Sequence, residues 1–193
     1  MKWICRLLLV ALFLSGCSFS GGGAGGKEAA FVILSILRFQ AAADSTTPLT
    51  NLQARVDLET DSDNEEVFAV LQLTRKTPTV AVTAPTALDT VTVQRYTVSY
   101  SRADGGQVPA PLTNRPINIT IAAPPTDPAV AATTVTVPIL VFLGSDKLKP
   151  PFSLMQKPNE IFVNVTVTFT GFDLRGAEVN ATGSLVINFF RSA

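Results

Sequence analysis

The chain has 193 residues, 47% of them hydrophobic and 16% charged, which suits one domain with a proper core and excludes a disordered chain. Its 15 basic and 15 acidic side chains balance, without the clustered positive charge on which nucleic-acid and anionic-lipid binding rely. It has no histidine, which excludes Ser-His-Asp and Cys-His relays and histidine-bearing metal sites.

In chain order, the first feature is a charged and then apolar leader. Lys2 and Arg6 precede Leu7–Leu14, an unbroken apolar run of eight residues. A helix crossing a hydrocarbon core needs about 20 such residues, so the run fits the h-region of a signal peptide instead. It ends Leu14-Ser15-Gly16-Cys17, which resembles the lipobox of bacterial lipoproteins. The resemblance implies cleavage between Gly16 and Cys17 and a diacylglycerol on the Cys17 thiol. It also implies two or three acyl chains on the mature protein, enough for stable anchoring. Ser18 stands where many Gram-negative inner-membrane lipoproteins carry Asp, so in a Gram-negative host the family rule implies the outer membrane. Residues 17–28 then read as the lipidated cysteine and a tether, with Ser18–Gly26 rich in glycine. About ten such residues span roughly 15–20 Å. Cys5 leaves with the leader at residues 1–16 and Cys17 is modified, so the body, residues 29–193, has no thiol to form a disulfide.

From Ala29 onward the apolar period is two, not 3.6. Strands are predicted near 30–39, 51–60, 66–76, 90–101, 116–122 and 133–143. Turn-rich segments separate them, and most of the 13 prolines lie there. Pro138 interrupts Val135–Phe142, which predicts an edge strand or a bulge. The clearest pattern is a closing hairpin. Ile161, Val163, Val165, Val167 and Phe169 face one way, with Asn164, Thr166, Thr168 and Thr170 opposite. After Gly171–Gly176 the alternation resumes: Val179, Ala181, Leu185, Ile187 and Phe189 in, Glu178, Asn180, Thr182 and Asn188 out. No segment has a capped helical stripe. The expected fold is all-β, an antiparallel two-sheet sandwich of about seven to eight strands, with a closed barrel as the alternative. With 8% aromatic residues, the girdles of a membrane-spanning barrel are hard to supply. Arg95–Tyr100, followed by Ala103–Gly106, resembles a central strand and turn of fibronectin type III and other Ig-like modules, without the cysteine pair of true immunoglobulin domains.

Few residues offer chemistry. Lys147, Lys149 and Lys157 lie near Ser145 and Ser153 without a recognised Ser–Lys spacing, and read as surface lysines of a Pro-rich loop. The glycines of 21–26 lack the Lys-Ser/Thr of a phosphate loop. Asp57–Glu66 is the one acidic cluster. If a strand continued through it, Asp57, Glu59 and Asp61 would share a face, and with Asp63 they form a candidate Ca²⁺ site. The cluster lacks the glycine of an EF-hand loop, and a solvated hairpin that guards an edge is the better reading. Tyr96, Tyr100 and Phe172 are candidates for a sugar-stacking face, although tyrosines on a central strand more often belong to a core. Asn118, Asn164 and Asn180 begin Asn-X-Thr triplets, and in a bacterial chain they read as wet-face strand residues.

The expectation is therefore a non-enzymatic envelope lipoprotein without a cofactor. It would be held on a membrane by lipid and would bind another envelope protein through a sheet edge or loops. A carbohydrate- or calcium-binding module is the alternative.

Overall fold

A computed structural model describes residues 32–45, 54–76, 86–125, 127, 130–156 and 159–192. The leader, Gly16, Cys17, the tether and Lys157 lie outside the described residues. Eight strands form in chain order: β1 Val32–Gln40, β2 Ala54–Asp57, β3 Glu65–Arg75, β4 Val91–Ser101, β5 Leu112–Ile121, β6 Thr134–Phe142, β7 Glu160–Asp173 and β8 Glu178–Phe190. A 3-10 turn, Ala87–Asp89, precedes β4. The β6–β7 connection holds a single helical turn, α1 Gly144–Lys147, and a 3-10 turn, Phe152–Leu154.

The strands form two sheets, β1-β3-β6 and β2-β8-β7-β4-β5, the sandwich that the alternation predicts. The pairing differs from an all-antiparallel reading at one place, since β2 runs parallel to β8 from Ala54 opposite Ile187 to Asp57 opposite Phe190.

The core lies between the sheets. Val67, Ala69, Leu71 and Leu73 of β3 and Val137, Ile139 and Val141 of β6 meet the inward rows of β4, β7 and β8. The closing hairpin keeps its alternation: Val163, Val165, Val167 and Phe169 are buried, and so are Val179, Ala181, Leu185, Ile187 and Phe189. Asn118, Asn164 and Asn180 are exposed or partly so, as wet-face residues should be. Asn188 departs from the pattern. It lies on the outer face yet is buried, cross-strand from both Phe162 and β2, and its amide donates to Glu160 Oε2 at 3.1 Å.

A register shift between Val93 and Arg95 changes the phase of β4. Val91 and Val93 point inward, and after the shift Tyr96 and Val98 do. Beside this bulge β7 places Gly171 opposite Val93. A Cβ at Gly171 would lie 2.7 Å from the Thr92 carbonyl oxygen and 3.0 Å from Val93 Cα. Those are backbone atoms and cannot rotate away. Gly171→Ala should therefore destabilise the domain by about 1–3 kcal/mol, the usual cost of forcing atoms into a packed interior. Chemical denaturation of the two proteins tests this, and a loss below about 0.5 kcal/mol, the size of an ordinary surface effect, would contradict it.

Sheet edges fall on β1, β6, β2 and β5. Pro138 sits exposed on β6, an edge strand as the sequence predicts. Pro116 lies on β5, β2 has four residues, and β1 bulges between Ile36 and Arg38.

Candidate functional site

The sandwich has two poles. One carries the start of β1, the 3-10 turn before β4, the 122–133 connection and the β7–β8 turn. The other carries the ends of β2, β4, β6 and β8, the 102–111 loop and the 143–156 connection. The second pole gathers the acidic residues singled out from the sequence.

There β2 stops at Asp57 and a turn follows, so Asp57, Glu59 and Asp61 do not form one strand face. Each carboxylate instead has its own partners. Asp57 Oδ1 accepts the backbone N–H of Glu59 at 3.0 Å and of Ser192 at 3.2 Å. Glu59 pairs with Arg191 at 3.0 Å. Asp61 Oδ1 accepts from Lys147 Nζ at 3.1 Å and from the N–H of Asp63 at 3.0 Å. The Asp63 side chain is exposed. Among the described residues, no three acidic or cysteine side chains are grouped to hold a metal ion.

Lys147 is therefore not a surface lysine. It is 3% exposed, and its ammonium lies 2.5 Å from Glu65 as well as 3.1 Å from Asp61. Like charges in the acidic run demand a cation, and α1 and the C-terminal end supply two: Lys147 and Arg191. Around Lys147 the fold is tight. Asn64 Oδ1 accepts the N–H of Gly144 at 2.9 Å, and a Cβ on Gly144 would lie 2.1 Å from the Ser62 carbonyl oxygen. Only glycine lets the 58–64 loop approach α1 this closely. Burial by itself raises the pKa of Asp61, but the Lys147 ammonium and the Asp63 N–H outweigh it and hold the carboxyl below its ordinary value. Burial raises Glu65 too. Lys147 offsets this only in part and the neighbouring Asp61 charge adds to it, so Glu65 stands above its ordinary value.

Beneath the cluster lies an aromatic plug. Phe142 meets Phe152, Phe189 and Tyr100 with ring centroids 4.6–5.6 Å apart. The tyrosines are core residues and do not form a sugar-stacking face. Tyr96 is buried, and its hydroxyl accepts the N–H of Leu140 at 3.0 Å and donates to that residue's carbonyl at 3.4 Å. The Tyr100 hydroxyl donates to the Val141 carbonyl at 2.9 Å. Burial, with the Asp146 charge adding to it, pushes the Tyr100 pKa up. Phe172 lies far away, opposite Thr92.

Between the 102–111 loop and the 143–156 connection runs an open groove of about 480 Å³. Val108, Pro109, Ala110, Pro150 and Phe152 line it, with Asp146 and Lys149 at its side. Gln107 lies beside them, and Lys149 is exposed and pairs with Asp146 at 2.7 Å, so the groove is of mixed polarity with its flanking charges matched. Leu148 and Leu154 stand exposed on the same connection. The sequence does not announce this groove, because two loops more than thirty residues apart in the chain make it.

Comparison with protein-family models, with curated proteins and with solved structures finds no match.

Proposed function

We propose that this chain is a lipid-anchored protein of the bacterial cell envelope whose β-sandwich serves as a non-enzymatic interaction module. The observation that carries this reading is the sequence Leu14-Ser15-Gly16-Cys17, set after a charged and apolar leader and before a glycine-rich stretch. Lipid on Cys17 would hold the protein on a membrane, the outer one if the host is Gram-negative.

Two features of the body support the binding role. Described charges at the candidate pole are largely tied to one another, as Lys147 is to Asp61 and Glu65 and Lys149 to Asp146. What the pole offers a partner is a groove of mixed lining with its charges already paired, and the exposed apolar leucines beside it. Such a surface suits an uncharged segment of another envelope protein, since apolar contact needs no counter-charge.

Cys17→Ser is the test of the anchor. In a bacterium that processes lipoproteins, the parent protein should pellet with membranes and resist a salt wash. The variant should move to the soluble fraction, because stable attachment requires the acyl chains. Retention of the variant on salt-washed membranes would overturn the reading.

A further inference from the structure

We infer that the pole at which β1 begins is a bilayer-contacting surface, so that the lipid anchor and the sandwich grip the same membrane together. The inference rests on the anchor proposed above and adds an orientation to it.

The geometry starts at Val32, the first described residue. It lies opposite Arg75 in the β1–β3 pairing and lines a small cavity with Lys76, Glu178 and Val179. These residues sit at the β7–β8 end of the sandwich, opposite the groove. Fifteen residues, Cys17 to Phe31, join the proposed lipid to Val32. Fully extended they reach no more than about 54 Å, and β7, with its 14 residues, is itself about 46 Å long. Turning the far pole to the bilayer would take nearly the whole of that reach, whereas the β1 pole can meet it at any extension.

Apolar side chains stand out at this pole too, as Leu148 and Leu154 do at the other. Leu88 is 50% exposed and Leu174 60%, and the two are neighbours, since the Leu174 N–H donates to the Leu88 carbonyl at 3.1 Å. Ile33, the second residue of β1, is 43% exposed. Val130 is exposed in the connection that Arg75 joins through the Pro125 carbonyl. Two carboxylates that would oppose such a contact are turned inward: Asp89 and Asp173 are buried, and Arg175 pairs with both. The more exposed charges nearby, Lys76, Arg175 and Asp127, are of mixed sign. Leucines on turns between charged stems suit the interfacial zone of a bilayer, and the mixed charges make the contact independent of anionic lipid.

The mature chain lends itself to the test, because Cys17 is its sole cysteine and lipid blocks it. The lipidated protein carrying Leu174→Cys or Leu154→Cys is labelled with a fluorophore and reconstituted into phosphatidylcholine vesicles containing a quencher-bearing lipid. Flotation with the vesicles reports the anchor separately. Quenching at position 174 should exceed that at 154 several-fold, and adding phosphatidylglycerol should leave the ratio unchanged. Leu88→Asp in the 174-labelled chain should bring quenching down to the 154 level; both positions are exposed, so folding is not at stake. Flotation with equal quenching at the two positions would overturn the contact while leaving the anchor intact. Greater quenching at 154 would overturn it in favour of the opposite pole. Failure to float would remove the anchor, and the orientation with it.

Discussion

Replacing Lys147 by methionine should lower the stability of the domain by about 2–3 kcal/mol. That is below the roughly 3–5 kcal/mol for stripping one partner from a fully buried ion pair, because the Asp61 carboxylate left behind is partly open to water. Methionine keeps most of the apolar stem, so the loss isolates the ammonium. Without it, Asp61 and Glu65 face each other with no counter-charge. The pH dependence gives the assignment away. Glu65 has a raised pKa in the folded protein, so the folded state takes up its proton more readily than the unfolded chain. Its contribution to stability therefore grows as pH falls through that raised value. Asp61 has a lowered pKa, so its contribution is present above the ordinary carboxylate range and is lost as pH falls through the depressed value. In the Lys147→Met protein both carboxylates should accept protons more easily, and the deficit should shrink from neutral pH toward the carboxylate range. Glu65→Gln, which leaves one ammonium with one carboxylate, should be close to neutral alone and should rescue part of Lys147→Met. Urea denaturation of the four proteins across pH measures all of this. A Lys147→Met deficit that ignores pH and the Glu65 substitution would show that packing, not charge, carries the effect.

At the other pole, Asp89→Ala should cost about 2–3 kcal/mol, in line with losing charge-assisted hydrogen bonds at a buried carboxylate. Asp89 is fully buried. Its Oδ2 accepts the Thr86 N–H at 2.7 Å, closing a capping box on the 3-10 turn, and its Oδ1 pairs with Arg175 from the β7–β8 turn. Burial opposes the charge, but Arg175 and the Thr86 N–H outweigh it, so the pKa lies below the ordinary value. The stabilisation is therefore full at neutral pH and fades as pH falls through the depressed value. Arg175→Ala should show the complementary behaviour. It strands a buried anion, so its deficit should be largest at neutral pH and lessen on acidification. Thermal melts at neutral and acid pH follow both variants, and equal, pH-independent deficits would contradict the pairing.

How much of this is legible in the sequence varies with how local the signal is. The closing hairpin can be read residue by residue, because both strands are half-buried and one missed step would turn every side chain over. Pro138 announces an edge strand for a reason that needs no tertiary structure, its missing N–H. The tyrosines are harder. Counting by twos from Val91 and Val93 puts Tyr96 and Tyr100 on the wet face, and only the shift at Arg95 brings them inward. A bulge of one residue leaves no compositional mark on a strand rich in Thr, Ser and Val. The acidic run calls for a cation, and that demand is sound. What stays hidden is that Lys147 and Arg191, from far along the chain, meet part of it through side chains. Lys147 itself sits among Gly, Ser, Asp and Pro residues, a context that reads as exposed loop.

The four sheet edges take on another meaning if many copies share one membrane. Confinement to a surface raises local concentration and aligns neighbours, conditions that favour strand-by-strand joining of open sheets. Here β6 presents Pro138, and the Leu140 N–H is already taken by Tyr96 from the opposite sheet. Pro116 interrupts β5, β2 is too short to template a partner, and the bulge in β1 turns its ladder out of register. Crowded side by side, such molecules would slide past one another as separate bodies and leave the lateral packing of the membrane fluid.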